Sequence, residues 1–131
     1  MKSYIEGLLD SLLAVFPESK KVSIKREIAD FTVSSQKAVS VGIIVNELFT
    51  NIFKYAFEGK DGGKVLIELT KTDNHVRLAI ADNGIGIDER IIGNKSPGFG
   101  LSLVKMLSEQ LYGSYTVESV NGTRSVLEFE L

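Results

Sequence analysis

The chain has 131 residues, 15 Lys and Arg against 17 Asp and Glu, and a formal net charge of -2. That length fits one domain able to bury roughly two thirds of the surface its unfolded chain exposes, and the charge gives no basic footprint for nucleic acid or an anionic membrane. There is no cysteine, which excludes disulfides and thiolate metal sites and leans the expected location toward the cytoplasm.

Residues 1–16 carry Ile5, Leu8, Leu9, Leu12, Leu13 and Phe16 at spacings of three and four, so they predict an amphipathic helix closed by Pro17. Glu6 and Asp10 interrupt it, and no apolar run approaches the ~20 residues that span a bilayer, so neither a signal peptide nor direct membrane contact is expected. Its apolar stripe either packs on its own domain or, as a linker helix, also docks a partner domain. Residues 22–26 alternate at period two and residues 30–33 do so again, predicting two short strands or one strand with its partner edge. Ser34 or Ser35 is a candidate N-cap for a long helix reaching Phe57.

That helix is unusual. Glu47, Asn51, Lys54 and Tyr55 fall at i, i+4, i+7 and i+8, a polar stripe flanked by Ile44, Leu48, Ile52 and by Val45, Phe49, Phe53. A carboxylate, an amide, an ammonium and a phenol in one row suit a cleft wall, and a solvated face is the other reading.

Residues 58–63 form a loop by composition, and residues 64–71 and 76–81 read as a hairpin through Asp73-Asn74. Asp82-Asn83-Gly84-Ile85-Gly86-Ile87 follows the second strand directly, and residues 88–97 are polar, aperiodic and loop-like. From Gly98 a helix runs to about Leu111, burying Leu101, Val104, Leu107, Ser108 and Leu111, and Gly113 ends it. Residues 115–119 and 125–131 alternate around Asn121-Gly122, a hairpin signal. Hairpins with three amphipathic helices predict an α+β fold, a two-layer sandwich whose mixed, largely antiparallel sheet carries three helices on one face. Residues 1–131 form a single domain, with no repeat or interdomain linker.

The glycines cluster twice, Gly84 with Gly86 after a strand and Gly98 with Gly100 before a helix. Glycine lets backbone approach a ligand closely, and the free N–H groups at a helix start favour a phosphate. Gly98-Phe99-Gly100 is neither a Walker loop, since no Gly-Lys-Ser/Thr follows, nor a Rossmann fingerprint, since a loop leads into it. Asp82 is either a carboxylate that accepts from an amine or simply a turn former. Asn51 is a poor helix former but a neutral oxygen ligand for a hard cation, Lys54 shares its face to meet phosphate, and Tyr55 offers a base a surface.

Residues 46–55 with Asn51 resemble the N box, Asp82-Asn83-Gly84-Ile85-Gly86 the G1 box, and Gly98-Phe99-Gly100-Leu101 the G2 box of the ATP-binding Bergerat fold shared by histidine kinases, DNA gyrase, Hsp90 and MutL. Ile44-Val45-Asn46-Glu47-Leu48, Thr50-Asn51, Ala56-Phe57 and Gly122-Thr123-Arg124 are similar to one subfamily of bacterial and archaeal sensor histidine kinases, and residues 4–13 resemble the segment joining its phospho-acceptor helices to the ATPase domain.

The resemblance implies ATP and Mg²⁺ as cofactors. It makes Asn51 the magnesium ligand, Lys54 a phosphate contact and Tyr55 a neighbour of the adenine. Asp82 accepts from the adenine amino group, and Gly84, Gly86 and Ile87 pass beside the base. Gly98, Phe99, Gly100 and Leu101 meet the phosphates at a helix start, and Thr123 lines the adenine pocket. Residues 88–97 are the ATP lid, in which Lys95 is a γ-phosphate candidate or a solvated lysine. Glu47 matches the water-activating glutamate of the gyrase and Hsp90 branch, yet a neutral imidazole needs no base to be phosphorylated, so it completes the magnesium shell in the preferred reading.

His75, the one histidine of the chain, lies beside a hairpin turn and reads as structural. The expected function is that of the catalytic domain of a two-component sensor histidine kinase, moving the γ-phosphoryl group to a histidine on a separate dimerisation and phospho-acceptor domain that in turn serves a response regulator. The chain then reads as the catalytic part of a larger cytoplasmic assembly. Two readings stay open beside it: an anti-sigma-factor-type serine kinase, and a non-catalytic nucleotide-sensing module whose lid closure changes how the first helix docks.

Overall fold

In a computed structural model of the chain, residues 1–16, 22–56, 63–84, 99–119 and 121–131 are described. The elements are α1 (Lys2–Val15), β1 (Val22–Ile28), α2 (Ser35–Asn51) continued by a π-helical turn (Ile52–Ala56), β2 (Gly63–Thr72), β3 (His75–Asp82), α3 (Phe99–Gln110), β4 (Ser114–Ser119) and β5 (Thr123–Glu130). The five strands lie in the order β1-β2-β3-β5-β4. β1 runs parallel to β2 and every other pair is antiparallel. This is the α+β sandwich with a mixed, largely antiparallel sheet that the sequence predicts.

Period-two alternation decides which face is covered. Val65, Ile67 and Leu69 of β2, Val76, Leu78 and Ile80 of β3, and Leu127 and Phe129 of β5 are all buried. They meet Ile5, Leu9 and Leu12 of α1, Val41, Ile44, Val45, Leu48 and Phe49 of α2, and Val104, Leu107 and Leu111 at α3 in one core. α2 lies between the other two helices and contacts both. The apolar stripe of α1 is thus buried on its own domain. Tyr4 lies over Gly42, where an added Cβ would collide with the phenol ring, and Arg26 Nη2 donates to Asp10 Oδ1 at 2.9 Å.

Residues 30–33 form no strand. The ladder ends where the Ala29 N–H donates to Leu69 O at 2.8 Å, and Asp30 then accepts from the Lys2 N–H at the start of α1, at 3.4 Å. Their alternation survives as burial alone: Phe31 and Val33 are half-buried and Asp30 and Thr32 exposed, with Phe31 packed against the core. Ser34 is the N-cap of α2, its hydroxyl accepting from the Lys37 N–H at 3.3 Å. The predicted helix stop at Pro17 lies outside the described residues, and so does the predicted loop at 58–63 except for Gly63, which instead opens β2 as the parallel partner of Val22. Among the described residues no helix is long and apolar enough to cross a membrane.

Candidate functional site

The helix-facing side of the sheet changes character along its length. From one end, β3 and β5 pair as Val76 with Phe129, Leu78 with Leu127, Ile80 with Ser125, and Asp82 with Thr123. All eight side chains are buried, so hydrocarbon gives way to hydroxyls and a carboxylate at one end only. Burying such groups costs free energy unless they find partners, and among the described residues no buried side-chain N or O atom lacks one.

Three helix ends can be located on that axis. The Lys37 ammonium near the start of α2 donates to Glu130 O at 3.4 Å, so α2 starts at the apolar end. With 17 residues it is about 25 Å long, the length of a strand of seven or eight residues, so its Asn51 end reaches toward the polar end. α1 confirms the direction: it starts at Asp30, passes Arg26 at Asp10, and ends with Phe16 5.4 Å from Phe53 in ring-centroid distance. α3 runs the other way. Its C-terminal Gly113 is pressed on the Glu128 backbone and the Phe129 side chain at the apolar end, which leaves the Phe99 start of the helix pointing to the polar end. Asn51, the start of α3, Asp82 and Thr123 therefore come from four separated stretches to one end of the sandwich.

Asp82 is 8% exposed, and its Oδ1 accepts from the Gly84 N–H at 2.8 Å. It is a turn former, in the Asx manner, and a buried carboxylate at the same time. Asn83, which the sequence does not single out, closes the same end of the sheet. Its Oδ1 accepts from the Lys64 N–H at 2.7 Å and its own N–H donates to Lys64 O at 3.1 Å. Gly122 has φ +127°, and a Cβ there would collide with the Asp82 carbonyl oxygen. Only glycine lets the β5 turn sit so close to Asp82. Tyr115 donates its hydroxyl to Ser125 Oγ at 3.3 Å, and burial pushes its pKa up while the Ser125 hydrogen bond opposes the shift. Period-two phase with Thr123 was the signal that Ser125 faces inward.

The polar stripe of α2 is partly rearranged. Glu47 and Asn51 are half-buried and one α-turn apart, whereas Lys54 is exposed. The α-helix ends at Asn51 and a π-helical turn carries Ile52–Ala56, so Lys54 does not continue the i+7 position of an unbroken helix. The apolar pairs 44/45, 48/49 and 52/53 repeat every four residues, which outruns a 3.6-residue turn by about 40° each time. A wider turn takes up that drift and keeps Ile52 and Phe53 in the core. The side chains of Tyr55, Phe99, Gly100 and Leu101, all of Gly86, Ile87 and Gly98, and the expected lid with Lys95 lie outside the described residues. His75 is at the opposite, apolar end, on the open face, with Nδ1 2.7 Å from Glu130 Oε1 and Nε2 3.3 Å from Glu128 Oε2.

A family model described as Histidine kinase-, DNA gyrase B-, and HSP90-like ATPase matches residues 36–131, and the chain belongs to that family of ATP-binding domains. Sensor histidine kinase LiaS of Bacillus subtilis is 27% identical over 130 residues, covering 99% of this chain and 34% of that protein. Adaptive-response sensory kinase SasA of Crocosphaera subtropica is 35% identical over 103 residues, covering 68% of this chain and 26% of that protein. The histidine kinase domain of the Erythrobacter litoralis EL346 blue-light activated histidine kinase has the same fold, with a TM-score of 0.90 at 20% identity over 98% of this chain and 60% of that one. The chain spans well under half the length of these curated relatives.

Proposed function

We propose that this domain binds ATP with Mg²⁺ at the polar end of the sandwich and is the catalytic part of a cytoplasmic sensor histidine kinase. The observation that carries the reading is the convergence of Asn51, the start of α3, Asp82 and Thr123 on that end. Asp82 accepts from the adenine amino group, with Thr123 beside it, and Gly84 lets the backbone pass close to the base. Gly86 and Ile87 continue that wall, and Tyr55 lies by the adenine. Gly98, Phe99, Gly100 and Leu101 offer the unpaired N–H groups of a helix start to the phosphates, and Lys54 adds a cation there.

The donor set fits a magnesium ion. Glu47 and Asn51 supply one carboxylate and one amide oxygen, and among the described residues no group of three His, Cys, Asp or Glu forms a closed cage. A magnesium ion is commonly held by one or two side chains, with phosphates and waters filling the rest of its shell. When bound, it neutralises charge on the transferring phosphoryl group.

The domain's own residues do the positioning. The base is held at Asp82 and the triphosphate is laid between Asn51, Lys54 and the start of α3, so the γ-phosphoryl group faces outward to an incoming imidazole. A neutral imidazole nitrogen attacks phosphorus in line, the bond to the β-phosphate oxygen breaks, and ADP leaves. No general base is required, so Glu47 serves the metal shell. The acceptor histidine belongs to a dimerisation and phospho-acceptor domain, which passes the group to a response regulator.

The domain is mixed with the acceptor domain of the protein it serves, ATP and Mg²⁺. Acid-labile phosphate is expected on the acceptor and is lost with Asn51→Asp. Equal transfer by that variant would sink the site assignment, and acid-stable phosphate would sink the histidine-kinase reading.

A further inference from the structure

Phe16 has no role in the nucleotide reading, yet its ring packs on Phe53, in the turn that follows Asn51. Its backbone N–H donates to Leu12 O at 3.1 Å, which fixes it as the C-cap of α1, and Leu12 is itself buried. The ring centroids of Phe16 and Phe53 are 5.4 Å apart at 37°, and those of Phe53 and Phe49 are 5.9 Å apart at 53°. Phe53 lies inside the π-helical turn, two residues after Asn51 and one before Lys54.

A π turn is rare and needs support from outside itself, because its hydrogen bonds compete with the commoner α pattern. Phe49 is fully buried in the core, whereas Phe16, the other ring on Phe53, is half-buried at the end of α1 and is the one that a movement of that helix would carry. We propose that Phe16 is a positioning residue: by packing on Phe53 it holds the turn at Ile52–Ala56 in its wide form and so sets where Lys54 stands relative to Asn51. Any displacement of the end of α1 is then passed to the residues of that turn, Lys54 on the phosphate side first, while Asp82 and Thr123, on separate strands, keep their hold on the base. The inference rests on the proposed roles of Asn51 and Lys54.

The experiment measures binding of adenosine, and of ADP with and without Mg²⁺, by calorimetry on the full chain, together with amide hydrogen exchange over residues 52–56. Phe16→Ala is expected to shrink the Mg²⁺-dependent gain in ADP affinity on the order of tenfold, as loss of a residue that orients a metal ligand does. Adenosine affinity is expected to fall by less than the Mg²⁺-dependent gain, because Asp82 and Thr123 stay in place and only Tyr55 shares the turn, and Phe16→Tyr restores ADP binding. The exposed neighbour gives a control, Val15→Ala, expected to match the wild type. Should Phe16→Ala not fold, Phe16→Leu keeps most of the volume without the ring contact, and faster exchange at residues 52–56 is expected. Unchanged Mg²⁺ dependence with unchanged exchange overturns the proposal, and so does an equal loss for adenosine and ADP. A wild-type domain that binds no nucleotide overturns the functional reading instead.

Discussion

Asp82 and Thr123 are direct cross-strand partners of β3 and β5, both almost wholly buried, at the point where the core face of the sheet turns from hydrocarbon to polar. One of the Asp82 oxygens holds the Gly84 N–H, a duty an amide oxygen performs as well. In the proposed nucleotide site the residue would also accept from the adenine amino group, and that second acceptor needs the carboxylate.

Asp82→Asn is therefore expected to melt within a few degrees of the wild type and to bind ATP at least about tenfold more weakly, a loss of about 1.4 kcal/mol. Asp82→Ala also strands the Gly84 N–H and loses a further ~1–3 kcal/mol of stability. Thermal melts paired with calorimetric titration check both, and wild-type ATP affinity in Asp82→Asn would leave the residue as a turn former only.

Gly122→Ala tests the closeness of the β5 turn to Asp82. The residue combines a left-handed φ with a Cβ direction blocked by the Asp82 carbonyl, so strain of about 1–3 kcal/mol adds to a forced separation of the two strands. Both the denaturant midpoint and the ATP affinity are expected to fall. Loss of stability with unchanged affinity would mean that this turn does not shape the site.

The architecture was legible wherever one signal dominated. Two apolar runs joined by a turn at Asp73-Asn74 gave β2 and β3, strict alternation in 125–131 gave β5, and Asp82 and Thr123 fall in phase with the buried residues of those strands. What misled was alternation without a pairing partner: residues 30–33 have the pattern, but the β1 ladder ends at Ala29, Asp30 is taken by the start of α1, and the chain turns into α2 at Ser34. The α2 stripe failed for a different reason. Glu47 and Asn51 obey a 3.6-residue turn, whereas Lys54 lies in a wider one, and the four-residue repeat of apolar pairs that the wider turn accommodates is easily passed over beside the i, i+4 pattern. Asn83 was invisible because its work is a bond to Lys64 on another strand. Glycine motifs made the site legible through family resemblance, since each box alone fits several uses.

The N-cap of α2 gives a stability prediction remote from the site. Ser34→Ala removes the hydroxyl that accepts from the Lys37 N–H at 3.3 Å. The loss is expected near the low end of cap energies, about 0.5–1 kcal/mol, because the bond is long and exposed. The urea midpoint should drop while ATP affinity stays, since the cap lies at the opposite end of α2 from Asn51. Serine to glycine at the same position is expected to cost less.

His75 sets the last prediction, a pH dependence of stability. Both its ring nitrogens face carboxylates, Glu130 at 2.7 Å and Glu128 at 3.3 Å, with Arg77 Nε 3.5 Å from the other Glu128 oxygen and the Lys37 ammonium on the Glu130 carbonyl. The hydrogen bond to Glu130 raises the imidazole above its ordinary value of 6.5, partial burial opposes this, and the charges of Glu130 and Glu128 add to the rise. A raised folded pKa means that the stabilisation is fully present below the unfolded value and is lost as pH climbs through the folded one. The difference in urea midpoint between wild type and His75→Gln is thus expected to be largest near about pH 5.5 and to shrink steadily above about 6.5, toward a floor once the imidazole is neutral. Raising salt to about 1 M should flatten the profile, because the cluster is exposed. ATP affinity is expected to be the same in both proteins at every pH, His75 being at the far end of the sheet from Asp82, and a difference that grows with pH would reverse the sign argued for this cluster.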